Sequence, residues 1–130
     1  MRVRRAVLEA IFAHARVDAP RECCGLLIGA GDMIEEHYPV KNTRAGTTAF
    51  AIDPAGHFQA IRHARASGLS VIGAYHSHPR SSAVPSETDV GEANDPELLH
   101  LIVSLAETEL ALRAYRIRDG AVNEISLIAC

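Results

Sequence analysis

A chain of 130 residues, 48% hydrophobic and 22% charged, is sized for a single soluble domain with its own core rather than for two. A formal net charge of −3, with twelve scattered arginines among thirteen basic residues, leaves no basic face for nucleic acid. No apolar run approaches the roughly 20 residues that a bilayer span needs, and no membrane association is expected. Met1-Arg2-Val3-Arg4-Arg5 leads into an amphipathic segment rather than the apolar core of a secretory signal, so the cytoplasm is the expected compartment. Cys23, Cys24 and Cys130 make neither a disulfide framework nor a C-x-x-C pair, and the adjacent two read as buried, reduced thiols.

Val3 to about Val17 carries Val7, Leu8, Ile11, Phe12 and Ala15 at helical spacing, and Asp18-Ala19-Pro20 ends it. Glu22 to Gly29 is a short apolar run bounded by Pro and Gly, which predicts a strand buried on both faces. Ala30-Gly31-Asp32 is a turn into a hairpin partner, Met33 to Val40, where Pro39 marks a strand end or edge. Lys41 to Thr48 reads as a loop and Ala49 to Ile52 as a short strand. Asp53-Pro54 starts a helix that is expected to carry Phe58, Ile61 and Ala64 inward and to end near Gly68. Leu69 to His78 is the next strand. Ser86 opens a short helix that Asn94-Asp95-Pro96 stops, and Leu99 to Leu105 is another central strand. Ala111 to Arg118 and Ala121 to Ile128 flank Asp119-Gly120, a type I′ hairpin signal. The element order predicts an α+β fold, with a mixed central sheet flanked by helices.

The chemistry concentrates in Gly73 to Asp89. On a strand, a period of two puts His76 and His78 on one face, close enough to share an ion. Ser86 and Asp89 have two readings. Ser at an N-cap with an acid three residues on is close to a capping box, although that box usually carries Glu or Gln. Alternatively, Asp89 adds a carboxylate to the two imidazoles. Two histidines, one carboxylate and an open position is how catalytic zinc is held. His14, His37, His57, His63 and His100 carry no comparable pattern and read as ordinary surface or partly buried residues.

His76-Ser77-His78-Pro79, six residues, then Ser86-Glu87-Thr88-Asp89 resembles the H-x-H-P-x6-S-x-x-D signature of the JAMM (MPN+) zinc metallopeptidases. Glu22-Cys23-Cys24-Gly25-Leu26-Leu27-Ile28-Gly29 is similar to that family's glutamate-bearing strand, and Phe50 to Pro54 and Leu112 to Tyr115 extend the likeness over nearly the whole chain. Composition and spacing alone do not single out Glu22 among ten glutamates. The resemblance implies one JAMM/MPN domain over residues 1–130, with a cytidine-deaminase-like fold. It implies Zn²⁺ on His76, His78 and Asp89 with water in the fourth position, Glu22 as the proton carrier and Ser86 as oxyanion donor.

The activity so implied is hydrolysis of a peptide or isopeptide bond, at the extended, Gly-Gly-like C-terminal tail of a ubiquitin-like or sulfur-carrier protein. The competing class is a non-catalytic scaffold of the same fold, against which the intact ligand set speaks. Zinc nucleobase deaminases need H-x-E with P-C-x-x-C, and neither is present. Cys23 and Cys24 sit in an apolar run without a visible base, which argues against a thiol nucleophile. The amphipathic N-terminal helix could pack internally or on a second copy, which leaves a homodimer open.

Overall fold

The computed structural model of the chain describes residues 1–44, 49–106 and 111–130. In chain order these form β1 (Arg2–Val3), α1 (Arg5–Asp18), β2 (Cys24–Ala30), β3 (Met33–Val40), α2 (Pro54–Ala66), β4 (Ser70–His78), α3 (Glu87–Glu92), β5 (Leu99–Ser104), β6 (Ala111–Arg118), β7 (Ala121–Ile125) and β8 (Ile128–Ala129). One eight-stranded mixed sheet holds them in the order β7-β6-β5-β4-β2-β3-β1-β8. The α+β architecture expected from the element order is the one observed. Residues 45–48 of the expected Lys41–Thr48 loop lie outside the described residues.

The centre of the sheet is where the apolar runs fall. β2 pairs antiparallel with both β3 and β4, while β4 pairs parallel with β5, so β2 and β4 are flanked on both sides. The apolar stripe of α1, formed by Val7, Ile11, Phe12 and Ala15, lies on one face of the sheet against Cys23, Leu27, Tyr75, Leu101 and Val103. Full burial of an aliphatic side chain of this size contributes about 1.5–3 kcal/mol. That stripe is therefore spent on the chain's own core. Where β2 pairs with β4, Gly25 is opposite Tyr75 and lies under its ring, and a Cβ there would clash with Tyr75 Cε1.

Four expectations change. Val3 is not helical; it is fully buried in β1, paired with Ile34 and Ala129, and the helix begins only after the extended Arg4. Ala49 to Ile52 is no strand, since only Ile52 makes a single bridge, to Asn42. Phe58 points outward at 61% exposure. The stripe of α2 that meets the sheet runs at a spacing of four through Gly56, Ala60 and Ala64, with Ala60 in the cluster of Leu26 and Val40. Small residues let the helix approach closely, and the bulky ring is left on the other side. Finally, the last strand is divided: β7 stops at Ile125, and Ile128–Ala129 pairs with β1 instead.

Three expected features are observed. Asp119 and Gly120 take the positive φ values, 49° and 79°, that a type I′ turn demands. Pro39 faces β2 through Gly25, and β1 pairs only with Met33 and Ile34, so Pro39 lies on an unpaired edge. α2 starts with Asp53 at the N-cap position and Pro54 at N1, although the Asp53 side chain makes no capping hydrogen bond.

β4 carries one irregularity. Leu27 faces Gly73 and Ile28 faces Val71, so Ile72 is an extra residue, a β-bulge. Val71 and Ala74 pack on the α2 side, while Ile72 and Tyr75 pack on the α1 side.

Candidate metal centre

The register of β2 against β4 assembles the site. Cys24 pairs with His76, the Ser77 N–H donates to the Cys23 carbonyl, and continuing the ladder puts Glu22 opposite His78. Residues directly opposite in an antiparallel pair share a face. Glu22, His76 and His78 are all at least 95% buried, and their ligand-type atoms lie within 4.8 Å of one another.

The loop after Pro79 supplies the fourth group. Ser104 Oγ donates to the Ser81 carbonyl at 2.6 Å, and the Tyr115 hydroxyl donates to that of Ala83. β5 and β6 thus pin the loop before α3 begins. At the start of α3, Ser86 Oγ accepts the Asp89 N–H at 3.1 Å and Asp89 Oδ2 accepts the Ser86 N–H at 2.9 Å, a complete capping box. The same Oδ2 stands 3.2 Å from His76 Nε2 and 3.1 Å from His78 Nε2, and the two nitrogens are 3.1 Å apart. The cap and the carboxylate-with-imidazoles readings of Asp89 therefore coexist in one oxygen. Ser86, at the cap, is brought to the same place, so all five residues singled out in the sequence converge.

Three donor atoms at mutual separations of 3.1–3.2 Å form a near-equilateral triangle. Donors held in a tetrahedron at about 2.0–2.1 Å from one ion stand roughly 3.3 Å apart, close to this triangle. Protonation states agree. The Ser82 carbonyl can only accept, so His78 donates to it from Nδ1 at 2.8 Å, which leaves Nε2 of the neutral ring with its lone pair turned towards Asp89 Oδ2. Two facing lone pairs in a buried place need a proton or a cation between them. Two imidazoles and a carboxylate suit a borderline-soft divalent ion better than the all-oxygen cages of magnesium or calcium.

The electrostatics follow from burial and this contact. Burial would raise Asp89, but the hydrogen bonds with His76 and His78, the charge of His76 and the Ser86 N–H outweigh it and hold the carboxyl far below the usual range. Burial lowers His76. For His78 burial acts the same way but is overcome by Asp89, the Ser82 carbonyl and Glu22, so its value rises. Glu22 is pushed up to about 7 by burial, with His78 opposing and Asp89 reinforcing. A carboxyl that titrates near neutrality suits proton transfer.

Several contributors carry no sequence signature. Between the two histidines, Ser77 points to the opposite face, and its Oγ accepts the Cys23 N–H at 2.8 Å. Asn42 Nδ2 donates to the Glu22 carbonyl at 3.0 Å. Phe50 stacks on the His76 ring, with centroids 4.2 Å apart and planes at 19°. Only a serine interrupting a buried strand, and an asparagine in a short polar loop, hint at any of this.

Cys23 and Cys24 are buried free thiols whose burial raises them to about 11 and about 12, so neither is a thiolate at neutral pH. Two of the remaining histidines are more engaged than expected. His14 Nδ1 is bonded to the Tyr75 hydroxyl at 2.8 Å, and His100 lies beside the His76–Asp89 corner with its buried Nε2 unpartnered among the described residues. A cleft of about 580 Å³ opens on the Glu22 side, past Arg21, Lys41 and Asn42. Another of about 360 Å³ opens on the His76 and Asp89 side, past Phe50, Ile52 and Leu98.

Residues 4–118 match the family described as prokaryotic homologs of the JAB domain. The chain is similar to the CysO-cysteine peptidase of Mycobacterium tuberculosis, with 36% identity over 125 residues covering 94% of this chain and 86% of that protein. Its fold superposes on the solution structure of protein DSY2949 from Desulfitobacterium hafniense with a TM-score of 0.92 at 34% identity, covering 99% of this chain and 92% of the other. It also superposes on the structure of the JAMM metalloprotease-like zinc site in the proteasome and signalosome, with a TM-score of 0.64 at 25% identity, covering 100% and 97%.

Proposed function

Because the chain belongs to the family of prokaryotic homologs of the JAB domain and is a JAMM-type metallopeptidase, we propose that it cuts a peptide or isopeptide bond at the extended, Gly-Gly-like C-terminal tail of a ubiquitin-like or sulfur-carrier protein. The observation that carries the reading is the triangle of His76 Nε2, His78 Nε2 and Asp89 Oδ2, with Glu22 beside it. Residues 1–130 act as one metallopeptidase domain. Its compartment is the cytoplasm, where free thiols persist. No described helix is long and apolar enough to cross a membrane.

In this reading His76, His78 and Asp89 hold Zn²⁺. The metal, when bound, polarises the scissile carbonyl and makes water a competent nucleophile near neutral pH. Glu22 takes the proton of the attacking water and returns it to the leaving amine. The Ser86 hydroxyl, whose oxygen already accepts the Asp89 N–H, keeps its own proton free to donate to the oxyanion. Phe50 and the His78–Ser82 bond keep the two imidazoles oriented. An extended tail without side chains can cross the narrow ground between the two clefts, pairing its backbone with an edge such as that of β3 near Pro39. The apolar face of α1 is covered by its own sheet, so a homodimer would use another surface.

The test incubates zinc-loaded protein with Gly-Gly-tailed carrier proteins bearing C-terminal extensions, followed by mass spectrometry. Cleavage after the second glycine is expected. A chain that takes up zinc stoichiometrically yet leaves every tail intact would refute the substrate class. A chain that takes up no zinc at neutral pH would instead support the non-catalytic scaffold.

A further inference from the structure

One peptide unit, the one joining Glu22 to Cys23, is held at both ends by side chains. Its carbonyl oxygen accepts from Asn42 Nδ2 at 3.0 Å, and its N–H donates to Ser77 Oγ at 2.8 Å. β2 begins only at Cys24, so the sheet ladder does not supply partners for this unit. Asn42 is saturated: Nδ2 also donates to the Ala49 carbonyl at 3.2 Å, and Oδ1 accepts the N–H of Arg44 at 3.0 Å and of Ala51 at 2.9 Å. Two donors and two acceptors are the full capacity of an asparagine side chain. Ala49 and Ala51 flank Phe50, the ring stacked on His76. Ser77 lies between the two histidines on β4. The backbone of the glutamate is therefore tied on one side to the strand bearing both imidazoles, and on the other to the segment that packs against one of them.

Resting on the reading of Glu22 as proton carrier, we infer that Asn42 and Ser77 are positioning residues that clamp the Glu22–Cys23 peptide and so fix the glutamate against the histidine pair. A glutamate side chain has three rotatable bonds, so an unanchored Cα would spread its carboxylate over more than the distance a proton transfer tolerates. A displacement near 1 Å costs on the order of 100-fold in rate. Neither residue touches substrate or metal in this scheme; both act through Glu22.

The test uses Asn42→Asp, which keeps both acceptor positions for Arg44 and Ala51 but loses the donors to the Glu22 and Ala49 carbonyls, and Ser77→Ala, which removes the acceptor for Cys23. In the metal-free chain, amide hydrogen exchange at Cys23 should quicken about tenfold in each variant, while Leu27 in the middle of β2 keeps its protection. In the zinc-loaded protein acting on an extended Gly-Gly tail, Asn42→Asp should lower kcat about 10- to 100-fold with KM within about threefold and zinc content unchanged. Placed on Glu22→Gln it should cost nothing further, because the group it positions is gone. Unaltered Cys23 exchange in both variants overturns the clamp, and so does an Asn42→Asp loss that multiplies in full onto Glu22→Gln. If the unmodified protein cuts no tail, the proposed function fails, and the exchange experiment still decides the clamp.

Discussion

The two faces of β4 are made from alternate residues of one short segment, yet they are built on opposite terms. On the α1 side, Tyr75 packs among Leu27, Leu101 and Val103, and its one polar atom is matched by His14. On the other side, His76 and His78 are nearly as buried, but their Nε2 atoms meet the part-buried Asp89 carboxylate at 3.2 and 3.1 Å. One face is closed by apolar contact and finished on folding. The other gathers three ligand-type atoms at one point, an arrangement suited to holding a cation. Burying ionisable groups costs stability even when they are bonded to one another, and a fold retains such a cluster where the groups have work to do.

That contrast can be broken from either side. The largest effect is expected from His76→Ala or His78→Ala, which should abolish stoichiometric zinc binding and with it turnover, read by elemental analysis and by the tail-cleavage assay; retained zinc in both variants would remove them as ligands. Glu22→Gln should keep zinc but lower kcat by about 10²–10⁴-fold, the range of lost general acid–base catalysis. Full activity in that variant would displace Glu22 from its role. On the closed face, Leu101→Ala should cost about 2–5 kcal/mol in denaturant unfolding while the folded fraction still binds zinc. Lost zinc binding in protein that remains folded would mean the two faces are not separable.

A finer test concerns pH. The Glu22 carboxyl is raised from 4.5 to about 7 in the metal-free fold. Across that window the native state binds more protons than the unfolded chain, so this group's contribution to stability falls as pH rises. Metal-free Glu22→Gln should match the unmodified chain near pH 4.5 and exceed it increasingly up to about pH 7, with the gap closing once a divalent cation is bound. A gap independent of pH would assign the titration elsewhere. The smallest effect is expected from Asp89→Asn. An amide oxygen can still accept the Ser86 N–H, so stability should change by less than about 1 kcal/mol while zinc affinity drops. Unchanged zinc binding and turnover would leave Asp89 as a helix cap alone.

How much of this was readable in the sequence depends on the range of the interaction. His76 and His78 were legible because alternation is local and the bulge at Ile72 lies upstream of them. The Ser86–Asp89 cap was legible because it closes within four residues. Glu22 joined the site only through its resemblance to a known pattern, since what puts it there is the pairing of Cys24 with His76, a register no local rule predicts. Asn42 and Ser77 left only a faint signal for the same reason: each bonds a segment distant in sequence. Phe58 is a large apolar residue at a helical spacing and so reads as inward, but the side of α2 that meets the sheet is the small-residue row Gly56–Ala60–Ala64. Two-residue strands such as β1 and β8 are too short to show a period at all.

The bulge at Ile72 has a bearing on how such a chain can change over generations. Insertions and deletions of one residue in a strand normally exchange its two sides, which here would carry the histidines into the apolar layer under α1. Because one supernumerary residue already sits between Val71 and Gly73, loss of Ile72 would restore a regular ladder without shifting Ala74 through His78. Length drift between Leu69 and Ile72 can thus be absorbed before it reaches the hydrolytic end of the strand. The segment from Gly73 onward has no such slack, so it is there that the number of residues, and not merely their kind, must be inherited intact.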